Sequence, residues 1–379
     1  MMKILNVIGS LNIGGAENNA MNILRFIDTS KFTYHFLVFG DLIGDYEEEA
    51  KSLGAIIIHV DEPKKDYWKF LSEYQKLLKQ EQYTVVHVNT LWNSGLLLRS
   101  AKKEGVPTRI CHSHSTESSQ NENTIYRIYK RVMRKSILKN ATHFVACGKD
   151  AGNYLYGENF FKRHGEIIYN GIDHEKFSFD SVKREEIRNS LEIDTNDIVM
   201  GHVGRIAPVK NHVFMVNILS RLSGDLPSLK LILVGDGPDT KSIKELVKSK
   251  GLEKKVLFLG NKQNVSDFLH GFDIFIFPSL FEGFPVSIIE AQAAGLPCLV
   301  SDRVTKEAQL TVHTQFLALK NRDKWLEKVR YYAENKVNRS EVSITKIKNK
   351  FSITAIAKQW EKLYEEEINE GLYNDKHKF

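Results

Sequence analysis

Short apolar runs alternate along this chain with longer stretches in which apolar residues recur every three or four positions. Residues 4–8, 36–39, 55–60, 85–88, 109–111, 143–146 and 166–169 are brief and rich in β-branched or aromatic side chains, which predicts strands. Residues 18–27, 68–79 and 93–104 between them carry the helical period. This alternation predicts a parallel sheet with helices on both faces. The pattern then restarts: residues 198–203, 230–234, 256–259, 274–277 and 297–300 predict a second set of strands, and residues 213–222 and 240–250 predict helices between them. The second half does not repeat the sequence of the first.

The boundary falls in residues 173–184, where charge and Phe/Ser replace periodic apolar positions. We therefore expect an N-terminal domain over 1–175, a second over 176–352, and a helix and tail over 353–379 that returns toward the first domain. A helix over 355–364 presents Ile356, Trp360, Leu363 and Tyr364 at helical spacing, and the polar stretch 365–379 is expected to fray. The class is α/β, with two doubly wound parallel-sheet domains. Ligands of such sheets sit beyond the carboxyl ends of the strands, so a cleft lined by strand-to-helix loops is expected.

At 379 residues, two domains are favoured over one or four. The three cysteines, Cys111, Cys147 and Cys298, are far apart with no CxxC pair, so neither a zinc site nor a disulfide framework is expected, and reduced thiols in the cytoplasm are. The opening run stops at Gly9-Ser10 and reads as a strand rather than a signal peptide. No stretch reaches the roughly 18 consecutive apolar residues of a membrane-spanning helix. A net charge of +6 is too mild to imply nucleic acid.

Chemistry concentrates after the predicted strands. Residues 278–297 read PSLFEGFPVSIIEAQAAGLP. Gly283 permits close backbone approach, and Pro285 suits the start of a helix. That helix would offer unpaired N–H groups near Val286 to a phosphate, with Glu282 before it and Glu290 on its second turn. By periodicity alone, a turn followed by a helix carrying chance acids fits equally well. In Val203-Gly204-Arg205-Ile206-Ala207-Pro208-Val209-Lys210, Arg205 and Lys210 are placed to neutralise a diphosphate, or are two solvated cations. Gly14-Gly15-Ala16-Glu17 follows the first strand, and its spacing does not fit the dinucleotide fingerprint. In Cys111-His112-Ser113-His114-Ser115, a histidine could be a base, a sugar contact or a satisfied loop residue; two histidines two apart without an acid make no convincing metal site.

Together these segments resemble the GT-B glycosyltransferases of family four. Glu282 and Glu290 match the E-x7-E signature, Gly204, Arg205 and Lys210 the G-R-x4-K pattern, and residues 14–17 a GGAE loop. The resemblance implies two Rossmann-like domains facing a cleft, with the acceptor on the N-terminal domain and the donor on the C-terminal one. It implies Glu282 on the donor sugar, Glu290 on the ribose, Arg205 and Lys210 on the diphosphate, and Gly15, Gly283, Phe284 and Val286 in the donor site. His114 is implied to touch the sugar or the leaving phosphate. Where the family has G-x-R-x-D-V near the base, this chain has Lys262 and Asn264 in Gly260–Val265, which weakens the reading of the base; UDP is the commonest choice.

The implied activity is retaining, metal-independent transfer of a hexose or N-acetylhexosamine to a lipid-linked or saccharide acceptor in cell-surface polysaccharide assembly, with no cofactor required. A non-hydrolysing UDP-sugar 2-epimerase and a non-catalytic nucleotide-sugar-binding subunit share the architecture; the first would convert donor without acceptor, the second would bind without turnover. Residues 124–140, TIYRIYKRVMRKSILKN, hold six cations and no acid, with Arg127, Lys130, Arg131, Arg134 and Lys135 on one helical face and Ile125, Ile128, Tyr129, Val132 and Ser136 on another. Such a helix suits anionic lipid, or is a core helix with a solvated charged side. We expect a cytoplasmic protein held peripherally on the inner face of the membrane.

Overall fold

The computed structural model describes residues 1–115 and 123–366. The tail expected to fray lies, from residue 367, outside them. The chain divides into two compact units, Met1–Gly171 together with the chain from Ile353 onward, and Ile172–Ser352. Each is a parallel sheet between helices, a Rossmann-like α/β domain.

Among the described residues, the first unit has strands β1 (Met2–Gly9), β2 (Phe32–Phe39), β3 (Ile56–Val60), β4 (Val85–Val88), β5 (Thr108–Ser113), β6 (His143–Ala146) and β7 (Gly165–Ile167). They are ordered β3-β2-β1-β4-β5-β6-β7, all parallel. The order reverses between β1 and β4, the switch point where such sheets open a crevice. Side chains alternate between faces. Ile4 and Ile8 of β1, Tyr34, Phe36 and Val38 of β2, Val85 of β4 and Ile110 of β5 join one core with the helices Gly15–Phe26 and Ile353–Glu365. The last helix buries Trp360 and Tyr364 there almost completely. Truncating such an aromatic costs about 3–5 kcal/mol, so this helix is integral to the first unit.

The second unit has β8 (Ile198–Val203), β9 (Leu229–Val234), β10 (Val256–Gly260), β11 (Ile274–Phe277), β12 (Cys298–Ser301) and β13 (Thr314–Leu317), ordered β10-β9-β8-β11-β12-β13. The switch point lies between β8 and β11. Leu231, Leu233, Ile274 and Ile276 meet Phe214, Trp325 and Val329 in its core. The sequence pattern misses β13: only its last two residues, Phe316 and Leu317, are apolar, and it sits at the sheet edge. All three cysteines are buried thiols.

The helix over residues 124–140 forms, but its faces need correction. Its buried residues are Met133, Ile137 and Asn140. Ile125, Ile128 and Val132, read above as one apolar face, are exposed at 78%, 58% and 52%. Lys130 instead turns onto Trp92 and Tyr154, and Arg134 donates to the Tyr154 and Leu155 carbonyls. What reaches solvent is Arg127, Arg131, Lys135 and Lys139 beside three aliphatic side chains. No helix of the described residues is long and apolar enough to cross a membrane.

Candidate functional site

Two loops flank the switch point of the second unit. The first leaves β8 at Val203 and runs through Gly204, Arg205 and Ile206 into a 3-10 turn, Pro208–Lys210. Asn211 is left-handed, φ 58°, and turns the chain into the helix His212–Leu222. The second leaves β11 at Phe277 and enters the helix Val286–Ala293, whose start has no side-chain cap. The loops are knitted together: the Leu280 amide donates to the Val209 carbonyl at 2.8 Å, and Asn211 Nδ2 donates to the Pro278 carbonyl at 3.2 Å. Lys210 Nζ therefore reaches Glu282 Oε1 at 2.7 Å, with the ammonium 4.8 Å from the centre of the Phe277 ring.

These two loops and the helix Val286–Ala293 carry Gly204, Arg205, Lys210, Glu282, Gly283, Phe284, Val286 and Glu290 at different depths, while Lys262 stands on a third loop. Arg205 is exposed. Lys210 and Glu282 are largely covered. Glu290 is buried on the second turn of its helix, and burial raises its carboxyl to about 7, partly offset by Lys176. The Phe284 ring packs on Phe351 at 5.5 Å between centroids. Lys262, exposed on the loop after β10, has its ammonium 5.9 Å from the Phe268 ring centre.

Two further features come from packing around these loops. The turn after β9, Gly235-Asp236-Gly237, lies directly against the Gly204–Ile206 backbone: the Asp236 carbonyl accepts from the Ile206 amide at 3.0 Å. A Cβ on Gly235 would sit 2.2 Å from the Gly204 carbonyl oxygen, and one on Gly237 2.2 Å from that of Ile206. Both glycines thus fix the Arg205 loop. Beneath Lys210 lie His202 and His212, buried, with ring centres 5.0 Å apart. Burial first, then each other's or Lys210's charge, holds both below the ordinary histidine range, His212 at about 4. They stay neutral and add no positive charge to the loop.

In the first unit, Glu17 folds back over Gly14, where a Cβ would lie 2.3 Å from its carboxylate, while Gly15 has open space within 4 Å. His114 follows β5, and its Nε2 meets Asn89 Oδ1 at 2.8 Å. The His112 ring lies tilted against it at 3.9 Å between ring centres, and His87 Nε2 lies 3.1 Å from His112 Nδ1. Burial holds His114 at about 4 and His87 at about 3. Asn6, Asn89 and His87 were not singled out by the pattern. The available signal was a polar residue at the inward positions of V-V-H-V-N and L-N-V.

Among the described residues, no group of three or more His, Cys, Asp or Glu is arranged to hold a metal ion.

Two family models match the chain in succession. The model of Glycosyltransferase Family 4 matches residues 13–176, and that of Glycosyl transferases group 1 matches residues 183–367. EpsF of Bacillus subtilis, named as a glycosyltransferase, is 35% identical over 80% of this chain and 80% of its own. The capsular polysaccharide biosynthesis glycosyltransferase CapH of Staphylococcus aureus is 26% identical over 81% of this chain and 82% of its own. The crystal structure of HepE from Anabaena with UDP and glucose superposes with a TM-score of 0.79 at 18% identity, covering 96% of this chain and 99% of that one, which is a likeness of fold.

Proposed function

Because this chain belongs to the family 4 glycosyltransferases, we propose that it moves a hexose or N-acetylhexosamine from a UDP-sugar to a hydroxyl of a lipid-linked or saccharide acceptor, with retention, in cell-surface polysaccharide assembly. The carrying observation is the Lys210–Glu282 pair at 2.7 Å beside the uncapped start of the Val286–Ala293 helix. It brings a cation, a carboxylate and a helix N-terminus together at a switch point, the combination a sugar diphosphate needs.

Lys210 and Arg205 take the diphosphate and stabilise the charge that grows on it as the anomeric bond breaks. Backbone N–H groups near Gly283 and Val286 add to that field, and Phe284 contributes only through its main chain. Glu282, released from Lys210 as the phosphates arrive, accepts from donor-sugar hydroxyls. Glu290 meets the ribose, and Lys262 lies by the base. Two fixed cations supply the charge that a divalent metal supplies in other transferases, so no metal or cofactor is required. Attack comes from the same face through an oxocarbenium-like transition state. The first unit takes the acceptor, with Gly15 leaving room at its loop and His114 touching sugar or leaving phosphate.

The name of CapH supports a polysaccharide pathway, and the UDP bound to HepE supports the choice of nucleotide. The exposed basic and aliphatic side chains of residues 124–140 support peripheral attachment to the inner face of the cytoplasmic membrane and a lipid-linked acceptor. A binding and hydrolysis screen over UDP-, GDP- and ADP-sugars tests the reading. Selective consumption of a UDP-sugar, with the product's anomeric configuration unchanged, is expected. Selective binding of a GDP- or ADP-sugar, or an inverted product, would refute it.

A further inference from the structure

The polar side chains at the first unit's switch point form a ladder that ends on His114. Asn6 sits on β1, and Asn89 follows β4, tied to β1 by a 2.9 Å bond from its amide to the Val7 carbonyl. Asn89 Nδ2 lies 2.8 Å from Asn6 Oδ1 and 3.4 Å from the Val7 carbonyl oxygen. Asn6 Nδ2 in turn donates to the Tyr34 hydroxyl at 2.7 Å. A main-chain carbonyl can only accept. Of the two ends of the Asn89 amide, only the nitrogen can donate to the Val7 carbonyl as well as to Asn6 Oδ1, and that arrangement turns the oxygen end toward His114.

That orientation decides where the His114 proton sits. Asn89 Oδ1, 2.8 Å from His114 Nε2, can only accept, so Nε2 carries the hydrogen. Nδ1 is left as a lone pair, and among the described residues this buried atom has no hydrogen-bond partner. Leaving a buried polar atom unpaired costs roughly 1–3 kcal/mol, so it calls for an explanation. The titratable groups around it are neutral: His112 on the same strand, His87 on β4, and Tyr34 and Tyr364 beyond them. Burial alone keeps His114 uncharged down to about pH 4.

We propose that Asn89, aligned by Asn6 and the Val7 carbonyl, is a positioning residue that holds His114 in the Nε2–H tautomer, so that Nδ1 accepts a hydrogen bond from a hydroxyl of the sugar substrate. The hydroxyl-accepting part rests on the transferase reading above; the tautomer does not.

Two measurements separate them. Nitrogen-15 spectra of the histidine side chains, with His114 assigned by difference against His114→Gln, read the tautomer directly in the unliganded wild-type protein. A protonated Nε2 and bare Nδ1 are expected; a protonated Nδ1 overturns the proposal. The second is UDP release from UDP-glucose or UDP-N-acetylglucosamine between pH 5.5 and 8.5. Asn89→Asp places a carboxylate on His114 and favours imidazolium, which cannot accept at Nδ1. The ratio of variant to wild-type kcat/KM should be low at pH 6, roughly tenfold down or more, and climb with pH. A flat ratio in a folded variant overturns the proposal, because a merely structural loss would not track pH. If the wild-type enzyme consumes neither UDP-sugar, the transferase reading fails on that count while the spectra still decide the tautomer.

Discussion

Lys210 and Glu282 stand 72 residues apart in the chain and meet at 2.7 Å, each belonging to a different loop of one switch point. The pair neutralises its own two charges in the unliganded site. A carboxylate and an ammonium that satisfy each other can be divided between a sugar and a diphosphate when the donor arrives.

Removing either member should stop transfer while the fold persists. We expect Lys210→Ala to lower kcat by roughly a hundredfold or more, as loss of a group aimed at developing charge does. Glu282→Ala should do likewise. The charge-swapped pair, Lys210→Glu with Glu282→Lys, restores the ion pair but not the phosphate contact, and should stay inactive. Steady-state assays with circular dichroism as the folding control check all three.

Gly237→Ala should weaken the donor without touching it. The new Cβ would press on the Ile206 carbonyl from 2.2 Å and displace the loop carrying Arg205. We expect about 1–3 kcal/mol of destabilisation and a weaker UDP affinity. Thermal melts and calorimetric titration with UDP read both; an unchanged UDP affinity would show that the loop can shift without cost to the site.

Glu290 makes stability pH-dependent with a definite sign. Its folded-state value, about 7, lies above the ordinary 4.5, so the folded protein holds the proton more tightly than the unfolded one. Stability is therefore highest below that ordinary value and falls as pH rises through the window up to about 7. Glu290→Gln removes the penalty and should be the more stable protein at pH 8, by about 3 kcal/mol, with the gap closing toward pH 4.5. Melting temperatures of both proteins across that range test it, and a gap constant with pH would contradict it.

Membrane attachment through the 124–140 helix should depend on the side chains that point outward, not on the whole basic set. Arg127→Glu with Arg131→Glu should reduce binding to phosphatidylglycerol-rich vesicles by at least tenfold at low salt, since each near-surface cation contributes about 1 kcal/mol. Ile128→Glu should act in the same direction. Lys130 and Arg134, turned onto Trp92 and the 154–155 carbonyls, should affect stability instead. Vesicle sedimentation distinguishes the two groups.

Most of the architecture was legible because buried parallel strands are short apolar runs separated by helical periods. β13 escaped because an edge strand needs few apolar side chains. The placement of Arg205, Lys210, Glu282 and Glu290 after strands was legible in the sequence pattern, whereas their roles were implied only by the resemblance to family four. Other parts were not, for physical reasons. The inward polar residues Asn6, His87 and Asn89 look like interruptions until strand register brings them together. The need for Gly235 and Gly237 arises from a backbone contact between loops distant in sequence. The 124–140 helix misled because period alone gives a face its composition but not its direction, and here aromatic rings of the unit drew the cations inward.

The most direct measurement is a crystal structure of the protein with an intact UDP-sugar or its unreactive analogue. The account predicts the diphosphate within about 3 Å of Arg205, Lys210 and the first amides of the Val286–Ala293 helix, Glu282 parted from Lys210 and turned to the sugar, and Glu290 on the ribose. A diphosphate bound elsewhere, with the Lys210–Glu282 pair still closed, would contradict it.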